Sequence, residues 1–302
     1  MKKILKWTGI ILAGLVLVLA GAAFYLKNKF NAQGQRHIDQ KVELIQIPQD
    51  SAALARGAIL AVSCRDCHGQ DYGGSDFFND PQIGYMASPN LTPHPQSAVA
   101  KYTTEDWIRS IRHGLSPQGR PLMVMPAESY SKLSDEDLGA LIGYMQKVPA
   151  VDKALGATKL TLFAQVLAGA GAFGNLYPYD VVPHDQVHHV TAPPKASTPE
   201  YAEYIIGYSG CKTCHGATFN GAPHPDPVAP FSSNITPGGN LGKWTKDQFI
   251  QTMRSGKTPE GKVLNAKFMP FAAIGVHDDQ DLETLYNYLK SLPALPDSQP
   301  KK

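Results

Sequence analysis

Outside two heptapeptides, CRDCHGQ at 64–70 and CKTCHGA at 211–217, the sequence contains no cysteine. A disulfide framework spread through the fold is therefore excluded, and no thiol is left over for a lone nucleophile. Acidic residues are missing from 1–29, which hold Lys2, Lys3, Lys6, Lys27 and Lys29. The rest of the chain has 23 basic and 26 acidic residues, so its charge does not point to nucleic acid. Long apolar runs are also scarce. One stretch, Thr8 to Leu26, has 19 residues without a charge, about what crosses a bilayer as a helix. Ala20-Gly21-Ala22 resembles the small-residue site of a cleaved signal. The run continues past it to Lys27, which favours a retained anchor over 1–29. Either way the remaining chain is expected on the exported, periplasmic side of a bacterial cytoplasmic membrane.

No convincing run of strands is present; what remains is a repeat. NLTP at Asn90 returns as NITP at Asn234, and YTTEDWIRSIRHG (102–114) returns as WTKDQFIQTMRSG (244–256). The segment from Met125 to Pro149 returns from Met269 to Pro293 at the same length. Each copy predicts a short helix before the cysteines, a helix opened by Thr103 with Asp106 or Thr245 with Gln248, and a last helix opened by Ser134 with Asp137 or Asp278 with Asp281. Pro149 and Pro293 stop the last helices. The expected organisation is an anchor or signal segment (1–29), one domain over 51–150, a connector over 151–196 and a second domain over 197–296. The connector contains TKLTLFAQVLAGA, a possible helix. It also contains GAGAFG (169–174), a G-x-G-x-x-G match without the strand–turn–helix context of a dinucleotide site.

Cys-x-x-Cys-His admits four readings. A zinc knuckle needs about four converging ligands, and adjacent Cys67 and His68 cannot readily serve one metal. A disulfide gives no role to the histidine, and a thioredoxin-like pair lacks its βαβ context. Covalent haem attachment uses every position: two thiols one helical turn apart reach two vinyl groups, and the next residue offers an imidazole to the iron. Met125-Pro126 and Met269-Pro270 stand at matching distances beyond His68 and His215. The proline fixes the backbone next to a thioether that can take the iron's other face, which raises the reduction potential. Met123, Met145 and Met253 read as core.

Both repeats resemble class I-type cytochrome c domains. Residues 51–296 together resemble the cytochrome c subunits of membrane-bound bacterial alcohol, aldehyde and gluconate dehydrogenases. The likeness rests on CRDCHG and CKTCHG, NLTP and NITP, Arg112 and Arg254 before a glycine, and Met-Pro before an acid-capped helix. It implies a mainly α fold, two tandem cytochrome c domains behind one N-terminal transmembrane helix. It also implies two covalently bound haem c. Cys64, Cys67, Cys211 and Cys214 would form thioethers, His68 and His215 would be proximal ligands, and Met125 and Met269 distal ligands. The function implied is single-electron transfer from a dehydrogenase or quinol donor toward a terminal oxidase or soluble cytochrome. No catalytic residue is expected; a dihaem enzyme of the cytochrome c peroxidase type is the alternative. Well-known family members carry three such modules and this chain two, so a free-standing carrier stands beside a complex subunit.

The remaining candidates read as structural. Asn90-Leu-Thr92 and Asn234-Ile-Thr236 match a glycosylation pattern but suit turns that bond their own backbone. Arg112 and Arg254 fit either helix-end carbonyls or haem propionates. Tyr102 and Trp244 suggest packing near the haem. His184, His188 and His189 invite a metal reading but suit solvated connector residues, and His94, His113, His224 and His277 are expected at the surface.

Overall fold

The computed structural model describes residues 2–224 and 228–299. Helix α1, Lys2–Gln35, leaves Ile10, Leu12, Leu15 and Leu19 at least half exposed, and among the described residues it is the one helix long and apolar enough to cross a membrane. The first repeat follows with α2 (Ser51–Ala61), α3 (Arg65–His68), α4 (Thr104–His113), α5 (Ala127–Tyr130) and α6 (Asp135–Met145). The second repeat has the same order: α8 (Pro199–Tyr208), α9 (Cys211–His215), α10 (Lys246–Ser255), α11 (Phe271–Gly275) and α12 (Asp279–Ser291). Between them α7, Leu162–Gly169, packs along α1. Gly169 lies so close to the Leu26 backbone that a side chain there has no room. GAGAFG is thus the end of α7 and its turn, with Gly171 and Gly174 at positive φ.

Three short strands depart from the sequence expectation. β1 (Ser75–Asp80), β2 (Gly84–Ser88) and β3 (Lys159–Leu160) form an antiparallel sheet in that order. β3 comes from the connector, so the pairing joins segments about seventy residues apart and leaves no local periodicity to read.

Thr103 and Thr245 each build a full capping box, with Asp106 and Gln248 bonding back to the cap N–H. Ser134 and Asp278 also accept from the N3 backbone, of Asp137 and Asp281. Here the carboxylate arm of the box is absent, because both aspartates turn toward the seam between the repeats. Arg56 of α2 donates to Asp137 at 2.8 and 2.6 Å and lies 3.9 Å from Asp281. From α8, the Tyr204 hydroxyl donates to Asp137 at 2.6 Å and the Tyr201 hydroxyl to Asp281 at 3.0 Å. The first helix of each repeat therefore reaches the last helix of both. One continuous core runs through this seam, from Leu60, Ile108 and Ile142 to Ile205, Leu282 and Leu285.

His277 is buried in this seam rather than at the surface: it donates to Asp281 at 2.9 Å and stacks on Tyr208. His113 is also buried, only 1% exposed, because the connector folds back over the end of α4. Its Nδ1–H donates to Nδ1 of His184 at 2.9 Å, since Nε2–H of His184 is given to the Tyr179 carbonyl. His184 and His188 are thus half-buried; His189 alone of the three faces solvent, near Glu43.

Burial pushes the Asp281 carboxyl up, but bonds from His277, Lys195 and Tyr201 outweigh it and leave it lowered to about 2. The unfolded chain ionises nearer the ordinary 3.8, so this contribution to stability is complete above that value and fades as pH falls toward 2. At about 1.4 kcal/mol per unit it is worth about 2 kcal/mol. Asp281→Asn should lower the urea midpoint at pH 7 and narrow its gap from the unmodified protein at pH 3. An equal gap at both values contradicts this role.

Candidate functional site

Each cysteine motif forms a single helical turn closed by glycine. α3 ends at Gly69 with φ +81° and α9 at Gly216 with φ +80°, a region open to glycine at little cost. The following loops match bond for bond. Gly74 donates to the His68 carbonyl and Gly221 to that of His215. Tyr72 and Phe219, buried with positive φ, occupy the same bend. Residues beyond them bring up one carbonyl each: Nδ1–H of His68 donates to Pro89 O and Nδ1–H of His215 to Ser233 O, both at 2.7 Å. With Nδ1 so engaged, each ring is left with its Nε2 lone pair for a metal. Burial lowers the proton affinity of both imidazoles, despite that carbonyl, so both stand neutral near pH 7.

The carbonyls are carried by the Asn-x-Thr turns. Asn90 accepts from the N–H and hydroxyl of Thr92, and Asn234 does the same for Thr236. All four residues are buried, and the amides of Asn90 and Asn234 reach on to Val151 O and Leu295 O. These turns hold the histidine acceptors in place and leave no asparagine free for glycosylation.

All four cysteines are unpaired and half-buried. Burial, with Cys67 adjacent, pushes the Cys64 thiol up to about 12, and burial pushes Cys211 up to about 11. A redox-active pair needs the opposite shift. Among the described residues no group of three or more His, Cys, Asp or Glu side chains is placed to hold a metal ion. Paired thiols, each pair beside a neutral and oriented imidazole, fit thioether bonds to two porphyrin vinyl groups with one histidine per site as an iron ligand.

Met125 and Met269 occupy equivalent half-buried positions. Their carbonyls accept from Ala127 and Phe271 at 2.7 Å, around Pro126 (φ −78°, ψ 59°) and Pro270 (φ −75°, ψ 60°). Met145 and Met253 are buried core residues, and Met123 packs beside Phe30 and Tyr177. Arg112 and Arg254 each pair with an aspartate, and Arg112 also reaches a backbone carbonyl. Arg112 is buried, donates to Leu133 O and pairs with Asp135 at 2.8 Å; Arg254 pairs with Asp279 at 2.5 Å. Both tie the second helix of a repeat to the first turn of its last helix, where an acid is favoured. Tyr102 packs edge-on against Trp107, and Trp244 donates to Glu260.

The two sites lie on either side of α5. Tyr130 bonds Ser63, next to Cys64, at 3.1 Å. Ser129 faces Gly210, next to Cys211, so closely that a Cβ there would stand 2.9 Å from its hydroxyl. In turn α11 packs against Val62–Cys64 of the other repeat. No sequence signal marked Ser63, Ser129 or Tyr130, since Ser63 and Tyr130 meet across 67 residues of one repeat and Ser129 meets Gly210 of the other.

Two family models match. One for cytochrome c oxidase, cbb3-type, subunit III covers residues 52–145, and one for cytochrome c covers 205–293. The chain is 30% identical to the alcohol dehydrogenase (quinone) cytochrome c subunit of Gluconacetobacter polyoxogenes, over 85% of this chain and 59% of that protein. It is 26% identical to the fructose dehydrogenase cytochrome subunit of Gluconobacter japonicus, over 82% and 54%. It is also 24% identical to a diheme cytochrome c-type protein of Cereibacter sphaeroides, over 94% and 98%. The chain thus spans little more than half the length of the dehydrogenase subunits it matches.

Replacing Cys64 and Cys67 by serine should leave a chain heavier than its apo mass by one haem, and replacing Cys211 and Cys214 should do the same at the other site. Intact-mass measurement of denatured protein reads both; two haems retained by either variant contradicts the assignment.

Proposed function

With two cytochrome c domains in the chain and two covalently bound haem c groups, we propose that the protein is a membrane-anchored electron carrier. It accepts single electrons from a dehydrogenase or quinol-linked donor and passes them toward a terminal oxidase or a soluble cytochrome. Each haem supplies a one-electron iron couple when bound. Cys64 and Cys67, with Cys211 and Cys214, fix the two groups by thioether bonds. His68 and His215, aimed by Pro89 O and Ser233 O, would each supply one ligand to an iron. Met125 and Met269 would each supply a second, and their soft sulfur would favour the ferrous state.

The observation that carries this reading is the position of α5, with Tyr130 against the first attachment segment and Ser129 against the second. Two sites joined by one buried turn suit exchange of electrons within the chain. The names of the relatives support a dehydrogenase as donor. The match to a diheme cytochrome c-type protein over nearly the whole of both chains supports the second reading, a carrier that works outside such a complex. The exposed apolar surface of α1 supports anchoring, with Lys2, Lys3 and Lys6 on the cytoplasmic side and the haem domains in the periplasm.

Carrier and peroxidase-type enzyme differ at the sixth position. Met125→Ala and Met269→Ala should each lower the potential of one haem, remove one sulfur–iron charge-transfer contribution in the near infrared and open that haem to carbon monoxide. The unmodified ferrous protein should bind carbon monoxide slowly at both. Immediate binding at one haem of the unmodified protein supports the enzyme instead.

A further inference from the structure

The two methionine loops begin alike and are held differently. Leu122 donates to Gly114 O and Leu264 to Gly256 O, both at 2.7 Å. Beyond that, the connector lies over the first loop. Val124, directly before Met125, has φ +65°, an uncommon conformation for a β-branched residue, and its N–H donates to Leu176 O at 2.9 Å. Val182 and Val187, both buried, pack with the fully buried Ala127, two residues after Met125. Tyr179 backbone stands against Gly114, and the His113–His184 bond, with His184 stacked on Tyr179, ties the same segment to the end of α4.

The second loop has no such cover among the described residues. Phe268, the counterpart of Val124, has no positive φ; its N–H and that of Met269 both return to Asn265 O. His224, from the same repeat, meets the Phe268 carbonyl at 3.2 Å. Val263 and Val276 are exposed beside it.

The geometry points to residues 174–190 as a clamp that positions Met125, so that the Met125–iron bond outlasts the Met269–iron bond when the fold is loosened. A strained Val124 persists only where its surroundings over-determine it. The N–H···O bond to Leu176 and the Val182–Val187 plug supply that restraint, and among the described residues the second loop has neither of these two devices. Val124, Leu176, Val182 and Val187 are accordingly positioning residues for one haem of the two. This inference rests on the reading of Met125 and Met269 as sixth ligands.

The test follows each sulfur–iron contribution separately in urea, using the full haem-loaded chain. In Met269→Ala only Met125 contributes to the band, and in Met125→Ala only Met269 does. The Met125 contribution should persist to higher urea than the Met269 contribution. Val187→Asp added to Met269→Ala should lower the urea midpoint of the Met125 contribution and speed about tenfold the slow phase of carbon monoxide binding, the phase left to the haem that Met125 serves, with Val187→Ile restoring both. The same change added to Met125→Ala should leave the Met269 contribution where it was. If Val187→Asp prevents folding, Val187→Ala reads the same two quantities. Equal midpoints for the two contributions, or a Val187 change that moves both or neither, overturns the clamp. A band unchanged by both methionine substitutions instead overturns the ligand reading beneath it.

Discussion

One guanidinium sits between two carboxylates that occupy the same place in two copies of a fold. Arg56 bonds Asp137 of its own repeat and approaches Asp281 of the other, while Tyr204 and Tyr201 reach the same pair from the opposite side. The two carboxylates are buried, and a buried charge is costly to leave unpaired. Their bonds therefore fix the relation of the first and last helices of both repeats together. Asp137 and Asp281 also stand in the first turns of α6 and α12, where the helix dipole favours negative charge. The seam thus costs little that capping does not already provide.

From that seam follows the arrangement of the sites. α5 is wedged between the two attachment segments, and α11 meets the first of them. Within each repeat an Asn-x-Thr turn presents a carbonyl to the histidine ring, which fixes the orientation of the imidazole. The repeats are alike in these bonds and unlike in their surroundings. The connector, built on α7 against α1, covers the end of α4 and the first methionine loop. A duplicated module thereby acquires two inequivalent centres without a change in its motif residues.

Much of this was legible in the sequence. The capping pairs at Thr103 and Thr245 and the spacing of both motifs depend on neighbours a few residues away. The Asn90 and Asn234 turns are local in the same sense. What escaped notice depends on distant partners. The Ser134–Asp137 and Asp278–Asp281 pairs read as helix caps, yet the aspartates also serve Arg56, Tyr204 and Tyr201, each at least 67 residues away in sequence. His113 and His277 had no repeat partner and so looked like surface residues; each is buried by a contact with another segment. The pairing of β3 with β2 and the return of the connector over α4 are invisible to periodicity for the same reason.

Two redox centres held in one folded unit on either side of α5 should exchange electrons within the chain. Pulse radiolysis tests it most directly, by placing less than one electron per molecule on the oxidised protein and following its redistribution between the two haems. Exchange within the chain gives a redistribution phase whose rate is independent of protein concentration. A rate that rises in proportion to concentration would mean that the electron moves only between molecules, and would contradict it.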